Sequence, residues 1–518
     1  MGNKLEARRM RRPVRLLVLA AVLGCCLWLA WNVPYTHDDW DWGLPIGLEW
    51  WRTGAMNNRY VGTFFVIVMT RSRIVKTLVM GLTMFALPML AAVAAEPGDR
   101  AKNRFPLFLL GCGLLMTMPA VSWRQTYGWV SAFANFVVLG VWMLLLILLA
   151  RRGTEKGYRG YGIPAALFLL ALTGQLFAEN VTALMAAAAV GLVIWSWIAR
   201  RGRASALALL AGALIGLGLM FYNPIYQDLA STGYALEGIR HLTFSLDEGL
   251  TRILFVVIRR YFEIVLPALF ESFPTVWAAV CVGALYWVWT RRRVPRLLLI
   301  LAGLICAGAV GNALWTMEML RLDGGWVHPW PLLRAALPFA VVILLLAALV
   351  CSMDWRAWLP RLVLLGGALA LMLPFAVLEE IGPRCCFPSA VLLLVLALSL
   401  LADLPWGTVG TVGAGLLLAA ALAFHLQIFQ VIGNCYALRE QLMREAVEQG
   451  ADRVILPTEQ WRYFYTWGHN PQGEERAAHF RAFYGLPEDM ELIFLPMGSY
   501  DVWPKVTDEM LEGATVWE

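Results

Sequence analysis

Read for the spacing of apolar and polar positions, the chain is a succession of apolar runs separated by short polar breaks. The runs lie near residues 14–33, 74–95, 105–121, 130–150, 161–178, 181–199, 204–222, 275–290, 297–316, 332–351, 361–378, 387–402 and 407–430. Each approaches the roughly 20 residues that a helix needs to cross a bilayer. Together they predict an all-α polytopic membrane protein with about 13 transmembrane helices. Two apolar stretches depart from that pattern. "YVGTFFVIVMT", Tyr60 to Thr70, has about half the spanning length and is followed by "RSRIVK", which reads as a helix lying in the interface. From Gly249 to Ser272 the pattern is amphipathic, with Arg252, Arg259 and Arg260 opposite the apolar face, and admits an in-plane helix, a helix packed across the bundle or a costly span.

The polar breaks carry the topology. A basic start, "MGNKLEARRMRRPVR", places the N-terminus in the cytoplasm. The breaks "EPGDRAKNR", "RRGTEKGYRG", "ARRGR", "TRRRVPR" and "DWRAWLPR" then fall on the same inner side, as the enrichment of Lys and Arg in cytoplasmic loops requires. The alternate breaks hold acids, aromatics and single arginines. After about Val431 the pattern becomes mixed and polar, with a helix-like stretch, Gly450 as a stop and "RVILP" as a short strand. The expected organisation is therefore a transmembrane domain over residues 1–430, with its first outer loop at 34–60. A small extracytoplasmic α/β appendage over 431–518 follows it.

Composition agrees: 60% of the 518 residues are hydrophobic and 15% charged, with a mean hydropathy of +0.64, so no large soluble enzyme is present. The net charge of +6 sits in the short basic breaks, so it marks topology and not a nucleic-acid partner. Nine cysteines without a CxxC spacing imply neither a disulfide framework nor a zinc site. No internal repeat is visible, which weighs against a transporter built from inverted halves.

Candidate chemistry begins at "PYTHDDWDWG", Pro34 to Gly43. Asp38, Asp39 and Asp41 repel one another unless a proton, a cation or an arginine offsets them, and clustered titratable groups beside a cleft mark functional sites. One carboxylate could take the proton of an acceptor hydroxyl as it attacks a sugar carbon. A neighbour could orient the acceptor or ligate a divalent ion, Mg or Mn, with Asp39, Asp41 and His37 as the candidate ligands. Arg59 in "NNRY", Arg124 in "SWRQTYGW", Arg321 in "EMLRLDGGW" and Arg384 in "EEIGPR" stand near helix ends on the outer side. Their planar forks suit phosphate, and snorkelling to headgroups is the plainer alternative. Glu179 and Asn180 in "FAENVT" join two apolar runs with no room for a solvated loop. They either bind an acceptor or fix an arginine, or they bond helix to helix. Trp123, Tyr127, Trp129, Trp326 and Trp330 could stack on a sugar or form the interfacial aromatic belt; His328, before "PWP", reads as part of a rigid turn.

A basic start, one helix, an acidic first outer loop, many further helices and an outer C-terminal domain together resemble the GT-C superfamily of membrane glycosyltransferases. "DDWDWG", "NNRYVG", "YGWVSAFANF" and "FAEN" resemble a bacterial GT-C-like family within it. The resemblance implies transfer of a sugar from a polyprenyl-phosphate donor to a glycan or lipid acceptor at the outer face of the plasma membrane, with Asp38 or Asp39 in the position of the superfamily's catalytic carboxylate. Metal use varies across the superfamily and is not carried over. Two further readings stand beside it: a lipid or polysaccharide transporter or flippase, and a non-catalytic relative that supports envelope assembly.

Overall fold

The computed structural model describes residues 2–96, 103–155, 160–235, 240–245, 247–291, 294–323, 327–352, 354–458, 464–468, 470–496 and 515–517. Trp326 and the middles of the basic breaks at 96–104 and 151–160 lie outside them. The chain is an all-α polytopic membrane protein. Ten helices are long and apolar enough to cross a bilayer, from Pro13–Asn32 to Thr408–Glu448. Among the described residues, four more apolar helices are shorter: Tyr60–Thr70, Arg104–Met116, Gly162–Gly174 and Pro274–Thr290. Every one of the thirteen apolar runs is thus helical, three of them in a shorter form.

The loops sort into two ends, and contacts reveal the sorting. At one end Asn103 donates to the Ala402 carbonyl at 2.8 Å, Ser205 to that of Gly153 at 3.2 Å, and Arg361 lies 3.6 Å from Asp403. At the other, the acidic loop meets the segments around Trp129, Glu179, Arg384 and the C-terminal appendage. Tyr60–Thr70 has both ends there: Arg59 pairs with Glu179, and Arg71 donates to the carbonyls of Trp42 and Leu44 at 3.0 and 2.7 Å. The helix therefore turns back and does not cross.

Helix Pro383–Leu401 is the axis of the bundle, buried at every residue from Cys385 to Leu401. Removing that much apolar surface from contact with lipid leaves packing and dispersion as its main support. Helix Arg296–Leu322 is its opposite, with Leu297, Leu298, Ile300 and Leu304 all exposed, as a wall facing acyl chains should be. The amphipathic stretch splits in two. Leu250–Arg260 has no buried residue, whereas Leu266–Ser272 enters the core, where Glu271 pairs with Arg334 at 2.6 Å.

The boundary expected at residue 431 is not a break in the backbone. Helix Thr408–Glu448 passes through it unbroken for 41 residues, about 60 Å at the α-helical rise, twice the roughly 30 Å hydrocarbon core. Composition there records the change of surroundings, while the helix itself continues and carries the appendage. Beyond Gly450, which has a φ of 62°, strand Arg453–Thr458 pairs parallel with Glu491–Pro496, and that strand pairs antiparallel with Thr515–Trp517. Helix Glu474–Tyr484 packs on this sheet, and Trp40 of the acidic loop is buried in the same small core beside Phe480 and Leu492. The appendage is seated on the acidic loop.

Candidate functional site

The acidic loop is anchored residue by residue. After helix Gly2–Asn32, Pro34 stops the helix and His37 takes a left-handed backbone, φ 56°, a conformation that costs a non-glycine residue about 1–3 kcal/mol and recurs at functional sites. That turn aims the three carboxylates in different directions. Asp39 is fully buried: its Oδ1 accepts from the Ser131 N–H and hydroxyl at 2.9 and 2.6 Å, and its Oδ2 from the Thr36 N–H at 3.0 Å. Asp41 accepts from Arg476 at 3.2 Å and shares a 2.8 Å hydrogen bond with His479, both on the appendage helix. Asp38 keeps 28% of its side chain exposed, and its Oδ1 accepts the Trp129 indole N–H at 2.8 Å.

Their protonation differs accordingly. Burial by itself would raise the Asp38 carboxyl, but the His37 ring 3.8 Å away, the Trp129 N–H and the Arg476 charge outweigh it and hold it below the ordinary carboxylate value. Burial and the adjacent Asp38 charge push Asp39 up to about 8, against its three hydrogen-bond donors. Asp41 is raised by burial, with Arg476 and His479 opposing. Two neighbouring carboxyls pushed apart in this way divide the roles of a shared proton between them: Asp38 is the ionised one, and Asp39 is the brace.

Around Asp38 stands an aromatic and cationic wall. Trp129 and Trp467 stack at 5.3 Å between centroids and 15° between planes, and His37 meets both edge-on. The Arg384 guanidinium lies 5.3 Å from the Trp129 ring and donates to Gln125 at 3.4 Å; Arg124 lies 3.6 Å from Phe464 and 4.5 Å from Trp467. Rings hold a guanidinium by its face, at about 0.5–2 kcal/mol. Gly128 permits the appendage to close on this wall: a Cβ there would stand 1.8 Å from the Tyr465 carbonyl oxygen.

Arg59 and Glu179 form a second assembly at the same end. Arg59 Nε and Nη2 hold both carboxylate oxygens of Glu179 at 2.7–3.2 Å, and the Tyr226 hydroxyl donates to Glu179 at 2.6 Å. Arg59 and Arg384 both act electrostatically on Cys385, so the two assemblies adjoin. Helix Val130–Gly153 links them from behind through a π-helical turn, Phe133–Val137, in which Asn135 donates to the Ser131 carbonyl at 2.9 Å. Such turns are frequent at functional sites.

Of the residues singled out by sequence, Asp38, Arg124 and Arg384 share one wall, with Arg59 and Glu179 beside it. Asn180 donates to the Leu371 carbonyl at 3.3 Å from a buried position, a helix-to-helix bond. Arg321 is paired with Glu318 on its own helix, near Tyr465. Trp123 and Tyr127 are fully buried, with Trp123 stacked on His425 at 4.0 Å, so neither presents a face to a sugar. His328 accepts from the Trp330 N–H and bonds Asn312, as a turn residue does. Among the described residues no three His, Cys, Asp or Glu side chains converge as metal ligands; Asp39 and Asp41 are already engaged by protein donors. The donor set around the acidic loop does not fit a resident divalent cation. Ser131, Tyr226, Phe464, Trp467, Arg476 and His479 were not singled out, because each enters through a partner distant in sequence. No family model matches the chain, and no curated protein or solved structure does.

Proposed function

We propose that the protein is a multi-pass glycosyltransferase of the GT-C type. It crosses a bacterial plasma membrane thirteen times, with the N-terminus in the cytoplasm and the C-terminal appendage outside. It moves a sugar from a polyprenyl-phosphate donor to a glycan or lipid acceptor of the cell envelope. The observation that carries this reading is Asp38: a part-exposed carboxylate held ionised, beside two ring-mounted arginines at the end where the expected outer loops meet.

Asp38 takes the proton of the acceptor hydroxyl as that oxygen attacks the anomeric carbon. The bond from that carbon to the phosphate oxygen breaks, and the lipid phosphate leaves with the electron pair. Arg124 and Arg384 receive the leaving charge, having been oriented beforehand by Phe464, Trp467 and Trp129. A single displacement inverts the anomeric carbon, an expectation by analogy with the superfamily. Asp39, braced by Ser131 and Thr36, fixes the turn from which Asp38 projects.

The test incubates purified protein with a panel of polyprenyl-phosphate sugars and follows release of the lipid phosphate. One donor should turn over. Asp38→Asn should slow it by roughly 10²–10⁴, the usual worth of a general base, and Arg384→Gln should weaken donor use by about 10-fold or more. Turnover at the normal rate in Asp38→Asn would falsify the assignment.

A further inference from the structure

At the end of the bundle opposite the acidic loop, two of the basic breaks are folded together. Helix Val130–Gly153 ends in Arg151 and Arg152, and the turn between helices Glu179–Ile198 and Arg203–Phe221 carries Arg200, Arg201 and Arg203. The Ser205 hydroxyl joins the two breaks by donating to the Gly153 carbonyl at 3.2 Å. Gly202 permits the close approach: its φ is 67°, and a Cβ there would lie 2.7 Å from Thr154 Cγ2. All of these arginines therefore stand at one corner, and each is exposed.

Three observations specify the partner. The charge of the corner is little offset: among the described residues Arg152, Arg200, Arg201 and Arg203 make no ion pair, and the acid that acts on Arg151 is Glu155. Two of the guanidiniums are mounted on rings, Arg201 at 4.9 Å from the Trp195 centroid and Arg203 at 5.3 Å from that of Trp197. The surface next to them is apolar and open, with Ile194, Ile198 and Leu207 exposed at the ends of two candidate spans. A soluble anion would use only the first of these features. A phospholipid uses all three, with its phosphate on the guanidinium forks, its interfacial region beside the tryptophans and its chains along Ile194, Ile198 and Leu207. Marking topology needs only charge in each break. It needs neither a bond between the breaks nor rings under the cations.

We infer that Arg152, Arg200, Arg201 and Arg203, with Trp195 and Trp197, form a binding site for the headgroup of an anionic phospholipid in the leaflet at that end of the bundle. With several guanidiniums against one acid, the corner suits a headgroup with two phosphates better than a headgroup with one. The inference is independent of the glycosyltransferase reading and of which end is cytoplasmic. It requires only that the corner lie at headgroup depth, where the ends of two spanning helices must lie. The bound lipid ties together Val130–Gly153 and Glu179–Ile198, whose other ends carry Ser131 and Glu179.

The test measures lipid retained by the full-length protein in detergent, by native mass spectrometry, in titrations with cardiolipin and with phosphatidylcholine, and with inorganic pyrophosphate as a competitor. The wild type should prefer cardiolipin over phosphatidylcholine by about 10-fold or more. Arg201→Gln and Arg203→Gln should each weaken cardiolipin by about 5-fold, the effect of one basic residue near a membrane surface, and leave phosphatidylcholine unchanged. Loss of charge from a basic break can disturb insertion, so Trp195→Leu combined with Trp197→Leu serves as the second variant. It keeps every charge, removes both mountings and should weaken cardiolipin by about 2- to 5-fold. Arg296→Gln, in the basic break "TRRRVPR", should leave cardiolipin binding as it is. Cardiolipin bound no better than phosphatidylcholine, an equal loss in Arg296→Gln, or displacement by pyrophosphate at comparable concentration overturns the inference. Loss in the arginine variants without loss in the tryptophan pair does so too, since charge alone would then suffice.

Discussion

The two polar assemblies at the acidic-loop end contain the same residue types and arrange them in opposite ways. Around Asp38 the carboxylate and the arginines each meet a ring: Asp38 accepts the Trp129 indole N–H, Arg384 lies over the Trp129 ring and Arg124 over that of Trp467. Around Glu179 the carboxylate and the guanidinium are in direct contact along their forks. A carboxylate that accepts only an indole N–H keeps more capacity to act on something else than one locked in a bidentate pair with a guanidinium. The first arrangement suits chemistry and the second suits shape and stability. Aromatic spacers are thus as informative as the charged groups in telling the two apart.

The sharpest way to break this contrast is to neutralise each carboxylate and read both activity and stability. Asp38→Asn keeps the Trp129 hydrogen bond and should cost roughly 10²–10⁴ in rate, with thermal stability in detergent changed by less than about 1 kcal/mol, the range of part-exposed polar substitutions. Glu179→Ala should do the opposite to the fold. It leaves Arg59 largely buried and unpaired, a loss of about 2–5 kcal/mol. Arg59→Met combined with Glu179→Ala should recover part of it, which a double-mutant cycle by thermal unfolding reads directly. Equal stability losses at Asp38 and Glu179 would erase the distinction.

Much of the fold was legible because bilayer thickness imposes a length on each helix and the basic breaks mark alternate ends. The reading of Tyr60–Thr70 as a helix that does not cross came from its length, the basic "RSRIVK" after it and the alternation of the basic breaks, and the contacts of Arg59 and Arg71 agree with it. The site was legible only in part. Asp38, Arg124 and Arg384 could be found as polar groups at helix ends. The partnership of Arg59 with Glu179 joins positions 120 residues apart, and that of Asp41 with His479 joins positions 438 apart; no local pattern encodes such pairings. Ser131 and Asn135 lay inside "YGWVSAFANF" unremarked, since a serine or asparagine in an apolar run declares its role only when its partner is seen. The boundary near 431 was drawn too sharply because composition reports what surrounds a helix, and Thr408–Glu448 changes surroundings without ending.

The seating of the appendage offers a subtler test of the wall. Gly128→Ala would force the Tyr465 carbonyl away from its present approach, at about 1–3 kcal/mol if the backbone shifts to relieve the overlap. Lifting Phe464–Gly468 also unstacks Trp467 from Trp129, so tryptophan fluorescence should change and Arg124 should lose its mounting, while the Arg59 assembly is untouched. Undecaprenyl phosphate binding weakened, with the stability loss of Glu179→Ala unchanged, is the expected pair of results. If the Glu179→Ala loss changes as well, the appendage supports the two assemblies alike and they are not independent.

A pH dependence separates Asp38 from its own neighbour. With Asp39 raised to about 8 from an ordinary value of 3.8, the folded protein holds a proton there that the unfolded chain releases between those two values. Stability therefore falls as pH rises through that window, at up to about 1.4 kcal/mol per pH unit, and levels off above the upper value. Asp41 contributes a slope of the same sign, so the informative quantity is the difference between the wild type and Asp39→Asn. The variant cannot ionise and should lose the Asp39 share of the slope. It should also start from a lower baseline at acid pH, because its amide places a donor where an oxygen accepts from Thr36 or Ser131. Unfolding temperatures measured in detergent from pH 5 to about pH 9 give both curves. Parallel curves would mean that Asp39 is ionised throughout, and that the burden of charge in the loop is divided between Asp38 and Asp39 instead of being left to Asp38 alone.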